Sequence, residues 1–246
     1  MSVLLSASRV IVIYLQTIPV HPFLNKINRR LTLIYRSVYK YHVSTDNSKI
    51  VIIEKALALF SAHGYDGTGI QDVADAAGIT KPTLYYFFGS KDGLFEAVWE
   101  HYFPPVEDAL CPCSSYVNRI SDYENDVYGQ LIRVVLVFFR AAQEQPVFYR
   151  LMMGSVYAPP ESKSSSLSVS YFKRLYALLE QFFTGAAEAH GNMKGRQYAF
   201  SVSLLAQIHA YIAMWLALDE AETQRPLLDE SCAAQLVKQF MHGIFA

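Results

Sequence analysis

Residues 68–88 decide the fold, and they read Thr-Gly-Ile-Gln-Asp-Val-Ala-Asp-Ala-Ala-Gly-Ile-Thr-Lys-Pro-Thr-Leu-Tyr-Tyr-Phe-Phe. Thr68 and Gln71 have the spacing of a capping box, which predicts the start of a short helix. Gly78 permits a sharp turn, because a residue without Cβ tolerates a positive φ. Thr80 suits the N-cap of a second helix, and Pro82 fits its first turn. The stretch therefore predicts a helix-turn-helix.

The second predicted helix carries more aromatic and polar side chains than a short helix can bury. Leu84 and Phe88 lie four residues apart and are expected to face inward. Lysine and hydroxyl donors suit phosphates, and threonine or aromatic groups can contact base edges or thymine methyl groups. Ser90 is expected to cap the next helix, where Lys91 and free backbone N–H groups can hold a phosphate. The pattern favours DNA binding, although an ordinary helical hairpin with exposed aromatic residues has the same spacing.

The segment from about Ile50 to Tyr102 resembles the N-terminal domain of the tetracycline-repressor (TetR/AcrR) family of bacterial regulators. The matching residues are Leu59-Phe60, Gly64-Tyr65, Thr68, residues 70–80, Lys81, residues 83–88, Ser90-Lys91 and Leu94-Phe95. The resemblance implies a three-helix DNA-binding domain followed by a larger all-helical domain that binds a small molecule and dimerises. It also implies that the homodimer represses by binding a palindromic operator in double-stranded DNA, and that a small-molecule effector releases it.

The resemblance also implies which residues contact DNA. Tyr86 and Lys91 are predicted to anchor phosphates, and Lys81, Thr83 and Gln71 to select bases. The full predicted set is Gln71, Thr80, Lys81, Pro82, Thr83, Tyr85, Tyr86, Phe87 and Lys91. Two residues depart from the family pattern. Phe87 stands where His is frequent, and Gly93 replaces the usual acid, which predicts a weaker start of the helix after Ser90.

Charge is unevenly distributed along a chain whose net charge is −1. Residues 1–46 hold six cations and one acid, whereas residues 47–103 hold four lysines and seven acids. Because phosphate neutralisation supplies most non-specific DNA affinity, the helix-turn-helix segment alone is expected to bind weakly. Two interpretations of residues 1–46 stay open. These residues form a basic arm that wraps the duplex, or the true start codon lies after them and they are not translated.

The sequence beyond the motif predicts an all-α protein, because helical periodicity continues and no long alternating run indicates a strand. Three segments are predicted: a basic and apolar extension (1–46), a DNA-binding domain (47–103) and a helical effector-binding and dimerisation domain (104–246). Pro159-Pro160 and the serines at 162 and 164–166 predict an exposed connection. The later helices are predicted at Asp122–Glu144, Pro146–Met153, Leu167–Phe183, Arg196–Leu218 and Ser231–Phe245.

Two further sites are predicted in the C-terminal domain. The ligand pocket is predicted to comprise Phe138, Tyr149, Met152, Met153 and Tyr157, with Arg140, Glu144 or Arg150 as polar anchors. Such aromatic and flexible side chains suit an aromatic or amphipathic organic effector. The dimer interface is predicted to comprise Leu204, Ile208, Tyr211, Trp215, Leu236 and Phe240. The alternative is that both sets only complete the core of the monomer.

Enzymes, cofactor proteins and metalloproteins are not predicted. The sequence lacks a Gly-rich phosphate loop, a pair of metal-binding histidines and a nucleophile elbow. Cys111 and Cys113 have no nearby partner for a tetrahedral metal site and are predicted to be reduced thiols. The first twenty residues lack an apolar run approaching the ~20 residues of a membrane span, so no membrane partner is predicted. Three unevenly placed cysteines are too few for a disulfide framework, which predicts a cytoplasmic protein. A membrane-associated regulator anchored by its first segment, or one without ligand control, stays an alternative.

Overall fold

The computed structural model describes residues 48–118, 126–190, 193–218 and 226–242. Within these ranges the chain is helical and contains no strand, so the all-α prediction is confirmed. The helices are α1 (residues 48–67), α2 (Ile70–Ala76), α3 (Lys81–Phe88), α4 (Lys91–Tyr102), α5 (Pro104–Leu110), a 3-10 turn (Cys111–Cys113), α6 (Val127–Glu144), α7 (Pro146–Val156), α8 (Lys163–His190), α9 (Gln197–Ala217) and α10 (Glu230–His242).

The observed helix bounds agree with the predicted ones except around α8. The predicted exposed connection is confirmed for Pro159-Pro160, which lie exposed between α7 and α8. It is wrong for the serines at 164–166, which belong to the first turn of α8. The Ser164 and Ser155 hydroxyl oxygens are 2.9 Å apart, and the Ser168 hydroxyl donates to the Ser164 carbonyl at 2.7 Å. These bonds satisfy the hydroxyls of Ser164 and Ser168 inside the helix bundle, so these two serines do not need solvent. The basic segment 1–46, the predicted helix start at Asp122 and the predicted end at Phe245 lie outside the described residues.

An aromatic cluster holds α1 and α4 together. The Phe95 ring lies 5.1 Å from Phe60 and 5.2 Å from Tyr65 between ring centroids, both in edge-to-face geometry. Val73 of α2 and Leu84 of α3 are fully buried and extend this core. Edge-to-face aromatic pairs of this kind stabilise a fold beyond simple burial. The short helices of the motif are therefore fixed by packing rather than by their own propensity.

The core continues from α4 into the C-terminal helices. Trp99 of α4 is fully buried and stacks on Tyr171 of α8 at 4.9 Å, with Phe148 of α7 at 5.4 Å. Residues 52–246 form one compact unit, which contains both halves of this contact. The predicted functional division at residue 103 stays a prediction, since the two halves share a continuous core.

The C-terminal helices form a bundle in which α9 packs on α8 and α10 packs on α6. Side chains also link distant elements of this bundle. The Gln130 amide bonds both the N–H and the carbonyl of Val117, at 2.8 and 2.7 Å. Tyr116 donates to Asp126 and lies 2.8 Å from His190 Nε2, which joins the segment before α6 to the end of α8.

Candidate nucleic-acid interface

A Schellman turn joins α2 to α3. Gly78 has φ of +66°, as predicted, and the Ile79 N–H donates to the Ala74 carbonyl at 3.0 Å. The Gly78 N–H donates to the Asp75 carbonyl at 3.1 Å, which completes the paired hydrogen bonds of this helix ending. A side chain at position 78 would be strained, because only glycine adopts this backbone conformation freely. The turn therefore fixes the angle at which α3 leaves α2.

The predicted capping box at Thr68 and Gln71 is wrong. The helix begins one residue later, with Gly69 as N-cap, and the Asp72 carboxylate accepts from the Gly69 N–H at 3.1 Å. Thr68 instead donates its hydroxyl to the Gly64 carbonyl at 2.8 Å. The Gln71 amide donates to Asp75 at 2.7 Å on the exposed side of α2. Asp72 supplies the anion at the helix N-terminus, where the helix dipole favours it.

Helix α3 presents a nearly continuous aromatic face to solvent. Tyr86 is 76% exposed and Tyr85 is 41% exposed, whereas Leu84 beneath them is fully buried. Lys81 is exposed, with its Nζ 5.9 Å from the Tyr85 ring centroid. Phe87 is half-buried, and its ring lies edge-on to Tyr86 at 5.4 Å. The helix therefore offers a surface for base edges and thymine methyl groups, with a single cation at its start.

At the N-terminus of α3, two threonine hydroxyls bond each other instead of capping the backbone N–H groups. Thr80 is the N-cap, as predicted, but its side chain makes no capping hydrogen bond. Its Oγ1 lies 2.9 Å from Oγ1 of Thr83, and Pro82 lies exposed in the first turn. The first-turn N–H groups of α3 thus remain available to an anion, as is common at helix N-termini.

Gly93 is required by a close backbone approach. A Cβ at this position would lie 2.2 Å from the Phe88 carbonyl oxygen, far inside van der Waals contact. Ser90 is the N-cap of α4, as predicted, and its Oγ accepts from the Gly93 N–H at 3.0 Å. The missing acid at position 93 is therefore compensated by the Ser90 cap and by Asp92 in the first turn. The close approach of Gly93 to Phe88 therefore fixes the orientation of α4 relative to α3.

Lys91 and Asp92 connect this surface to two other elements. The Lys91 Nζ lies 4.4 Å from the Tyr65 ring centroid, and the Tyr65 hydroxyl donates to Asp92. Asp92 also pairs with Lys163 at the start of α8 at 3.1 Å. The Tyr65 hydrogen bond, followed by that of Lys163, lowers the pKa of Asp92. Burial, followed by the bond to Asp92, raises the pKa of the Tyr65 phenol.

The structure places the predicted pocket residues in two environments. Phe138, Tyr149, Met152 and Met153 are buried, whereas Tyr157 is 77% exposed. The predicted polar anchors Arg140, Glu144 and Arg150 are exposed, and Arg150 donates to the Leu216 carbonyl at the end of α9. Sequence reasoning missed His209, which is buried beside this cluster. Its ring centroid lies 6.0 Å from both Phe138 and Tyr149.

The predicted interface residues also divide. Leu204, Ile208 and Leu236 are fully buried inside the protomer, so their burial assigns them to its core. Tyr211, Trp215 and Phe240 are half-buried and reach the edge of the bundle. The outer face of α9 carries the exposed residues Tyr198, Ala199, Ser203, Ala206, Ala210, Ala213, Met214 and Ala217. These recur at intervals of three and four, and α9 contains no charged residue.

By length and composition, α9 could cross a membrane. It is 21 residues long with a mean hydropathy of 1.4, although a core helix of a soluble protein passes the same test. Among the described residues, no group of three His, Cys, Asp or Glu side chains could hold a metal ion. Cys111 is exposed and Cys113 half-buried, and neither is in a disulfide. Burial raises the pKa of the Cys113 thiol, which disfavours the reactive thiolate.

The helix-turn-helix has recognisable relatives. Residues 52–98 match the family described as bacterial regulatory proteins, tetR family. This segment is therefore a TetR-family helix-turn-helix domain. It is 38% identical over 76 residues to the HTH-type transcriptional repressor ComR of Escherichia coli, covering 29% of this chain and 36% of ComR. It is 39% identical over 88 residues to IcaR of Staphylococcus aureus, a negative regulator of the icaADBC biofilm operon, covering 33% of this chain and 41% of IcaR.

The chain thus spans about two fifths of the length of these curated relatives, and the C-terminal helices are compared through structure alone. The TetR family regulator PfmR of Thermus thermophilus superposes with a TM-score of 0.59 at 21% identity, over 78% of this chain and 95% of PfmR. The fatty acid degradation regulator FadR of Bacillus halodurans superposes with a TM-score of 0.61 at 14% identity, over 79% and 98%. These likenesses show the fold. The curated relatives are transcriptional regulators and not enzymes, in agreement with the prediction from the sequence.

Proposed function

We propose that this TetR-family chain is a transcriptional repressor that binds a palindromic operator as a homodimer and is released by a small-molecule effector. The observation that carries the proposal is the exposed face of α3, where Lys81, Tyr85 and Tyr86 project from a helix held by the Gly78 turn. A helix presented in this way fits the major groove. The bacterial relative ComR is a transcriptional repressor by name, and IcaR is a negative transcriptional regulator by name.

Contacts to DNA are assigned by position on this face. Tyr86 and Lys91 are proposed to contact phosphates, and Lys81, Thr83 and Gln71 to contact bases. Gln71 is oriented by its hydrogen bond to Asp75, which leaves its carbonyl oxygen free to accept from a base. Phe87 and Tyr85 would supply apolar contact to thymine methyl groups, with Thr80 and Pro82 near the groove wall. A cytoplasmic location follows from the proposal, since a bacterial operator lies there.

The outer face of α9 is proposed to pair with a second copy of the chain. Small residues at spacings of three and four allow two helices to approach closely, and Tyr198 and Met214 add exposed apolar area. An uncharged exposed helix face is unusual on a monomer and typical of an interface. Two copies are needed because paired recognition helices read half-sites about one helical turn apart. Tyr211, Trp215 and Phe240 border this face.

A mobility-shift assay tests the proposal, with DNA taken from just upstream of the chain's own gene and the full chain as protein. We expect a specific shift that weakens as salt is raised, because released counterions contribute to binding. The Lys81→Ala and Tyr86→Ala double variant is expected to lose the shift. Lys173→Ala removes an exposed lysine from α8 and serves as the matched control. A double variant that binds as tightly as the control would contradict the assignment of α3.

A further inference from the structure

Three helices of the C-terminal bundle meet at a buried cluster that contains two polar atoms without a hydrogen-bond partner. Phe138 lies on α6, Tyr149 on α7 and His209 on α9, and their side chains are almost completely buried. Tyr149 Oη and His209 Nε2 have no hydrogen-bond partner among the described residues. Gln145 Oε1, four residues before Tyr149, is a third such atom. Gln145 is the N-cap residue of α7, and its backbone carbonyl accepts from the Tyr149 N–H at 2.9 Å.

Unpartnered polar atoms of this kind are rare in protein interiors. Burying a hydroxyl or an imidazole nitrogen without a hydrogen bond destabilises the folded state, and nearly all buried polar groups are therefore paired. Phenylalanine would fill the volume of Tyr149 without this penalty. Two such atoms in neighbouring aromatic residues indicate that these residues serve a function other than stabilising the fold. A bound molecule that accepts from Tyr149 and bonds His209 would satisfy both.

We propose that Tyr149 and His209 are the polar anchors of the effector site, and that the effector is an uncharged, largely aromatic molecule with a hydroxyl-type hydrogen-bonding group. This inference rests on the proposed function and names the ligand class for it. The contacts shown around the two anchors are aromatic, which suits a flat apolar ligand. The exposed Arg140, Glu144 and Arg150 side chains offer no buried counter-charge to an ionised ligand.

Protonation and side-chain flexibility fit this ligand class. Burial lowers the pKa of His209 to about 4, so the imidazole is neutral at physiological pH and does not attract an anion. Burial also keeps Tyr149 protonated, because it raises the pKa of the phenol well above 10. Met152 and Met153 lie three and four residues after Tyr149 on the same side of α7. Unbranched thioether side chains rearrange readily, so they can make room for a ligand.

The same helix connects the cluster to the DNA-binding domain. Phe148, the neighbour of Tyr149, lies edge-on to Trp99 at 5.4 Å and stacks on Tyr102 at 5.6 Å. Both partners belong to α4, whose first residues include Lys91. A shift of α7 on ligand binding would therefore displace α4 directly, because the two helices are in contact. Trp99 Nε1 is also buried without a hydrogen-bond partner among the described residues, so this contact can rearrange without breaking a hydrogen bond of the indole to them.

The test uses the full chain, 4-propylphenol as the probe and 4-propylbenzoate as the charged match of similar size. We expect 4-propylphenol to raise the melting temperature and to move the His209 ring resonances in an NMR spectrum, and 4-propylbenzoate to do neither. Tyr149→Phe is expected to weaken probe binding by roughly tenfold, as loss of one hydrogen bond does. The same variant is expected to melt at a higher temperature without probe, because it removes an unpaired buried hydroxyl. Tyr128→Phe, in the same bundle, is the control and should bind the probe unchanged.

Three results would overturn the inference. The first is that 4-propylphenol leaves the melting temperature and the His209 resonances unchanged. The second is that Tyr149→Phe binds it as well as the control does. The third is a lower melting temperature for ligand-free Tyr149→Phe, which would mean that a buried water satisfies the hydroxyl. None of these readouts uses DNA, so they separate this inference from the proposed function. Probe binding that leaves the operator complex intact would uphold the anchors and overturn effector release.

Discussion

Single residues explain how the DNA-binding domain holds its shape, and Gly93 is the clearest case. Gly93→Ala would place a methyl group 2.2 Å from the Phe88 carbonyl oxygen, and the backbone between α3 and α4 would have to move. We expect a loss of about 1–3 kcal/mol in the free energy of unfolding, typical of overpacking, together with weaker operator binding.

Gly154→Ala is the matched control for this substitution. Its added Cβ would meet no atom within 4 Å, and the residue lies inside α7. Because alanine has the higher helix propensity, we expect a gain of up to about 1 kcal/mol. Urea denaturation of both variants checks the prediction. Equal effects of the two substitutions would show that the approach of Gly93 to Phe88 is not what requires glycine.

His209 makes stability depend on pH. Its pKa is about 4 in the folded protein against 6.5 ordinarily, because burial disfavours the charged ring. Between pH 6.5 and pH 4 the unfolded chain therefore binds a proton that the folded chain does not. The stability contribution is fully present above pH 6.5 and falls as pH drops through this window, by about 3 kcal/mol in all. His209→Leu should lose this part of the slope in denaturation measured at pH 7 and pH 4.5. An unchanged slope would mean that His209 is hydrated.

For the helices, local signals in the sequence correctly predicted turns, N-caps and inward side chains where the interacting residues are close together in the chain. The positive φ at Gly78, the Thr80 and Ser90 N-caps and the inward Leu84 were all predictable, because each depends on residues within a few positions. The capping box at Thr68 failed because Asp72 competes for the same helix start.

Pairings between distant helices were not predictable. Nothing in the local sequence marks His209 as the neighbour of Tyr149, which lies 60 positions earlier in the chain. Leu204, Ile208 and Leu236 look like interface residues by pattern and lie in the core, because periodicity shows which residues share a face and not what covers that face.

Dimerisation through the outer face of α9 can be tested with charged substitutions. Ala206→Glu with Ala210→Glu would place two unpaired charges per copy in the proposed interface, where burying charge is strongly unfavourable. We expect light scattering to show a dimer for the parent chain and a monomer for the variant, with operator affinity reduced at least about tenfold. Ser170→Glu, on an exposed position of α8, is the control. A dimeric double variant would contradict pairing through α9, and partition of the parent chain into membranes would support the alternative use of this helix.

At the scale of the whole molecule, charge balance predicts how binding responds to salt. The described part of the DNA-binding domain has few cations, so each phosphate contact is a large share of the total. Lys91→Ala removes one contact per protomer, which should make the slope of log affinity against log salt shallower by about 2 for a dimer. Lys173→Ala should leave the slope unchanged. A slope unaltered by Lys91→Ala would remove that lysine from the interface, and a much steeper parent slope would point to the cations of residues 1–46.

Selection of bound sequences from a random DNA library by the full chain is the sharpest test of DNA recognition through α3. We expect enrichment of a two-fold symmetric sequence with half-sites about one helical turn apart. We also expect that the Lys81→Ala and Tyr86→Ala double variant enriches no sequence, whereas Lys173→Ala enriches the same sequence as the parent chain. Enrichment of no sequence by the parent chain, or of the same sequence by the double variant, would contradict the claim that this chain reads DNA through α3.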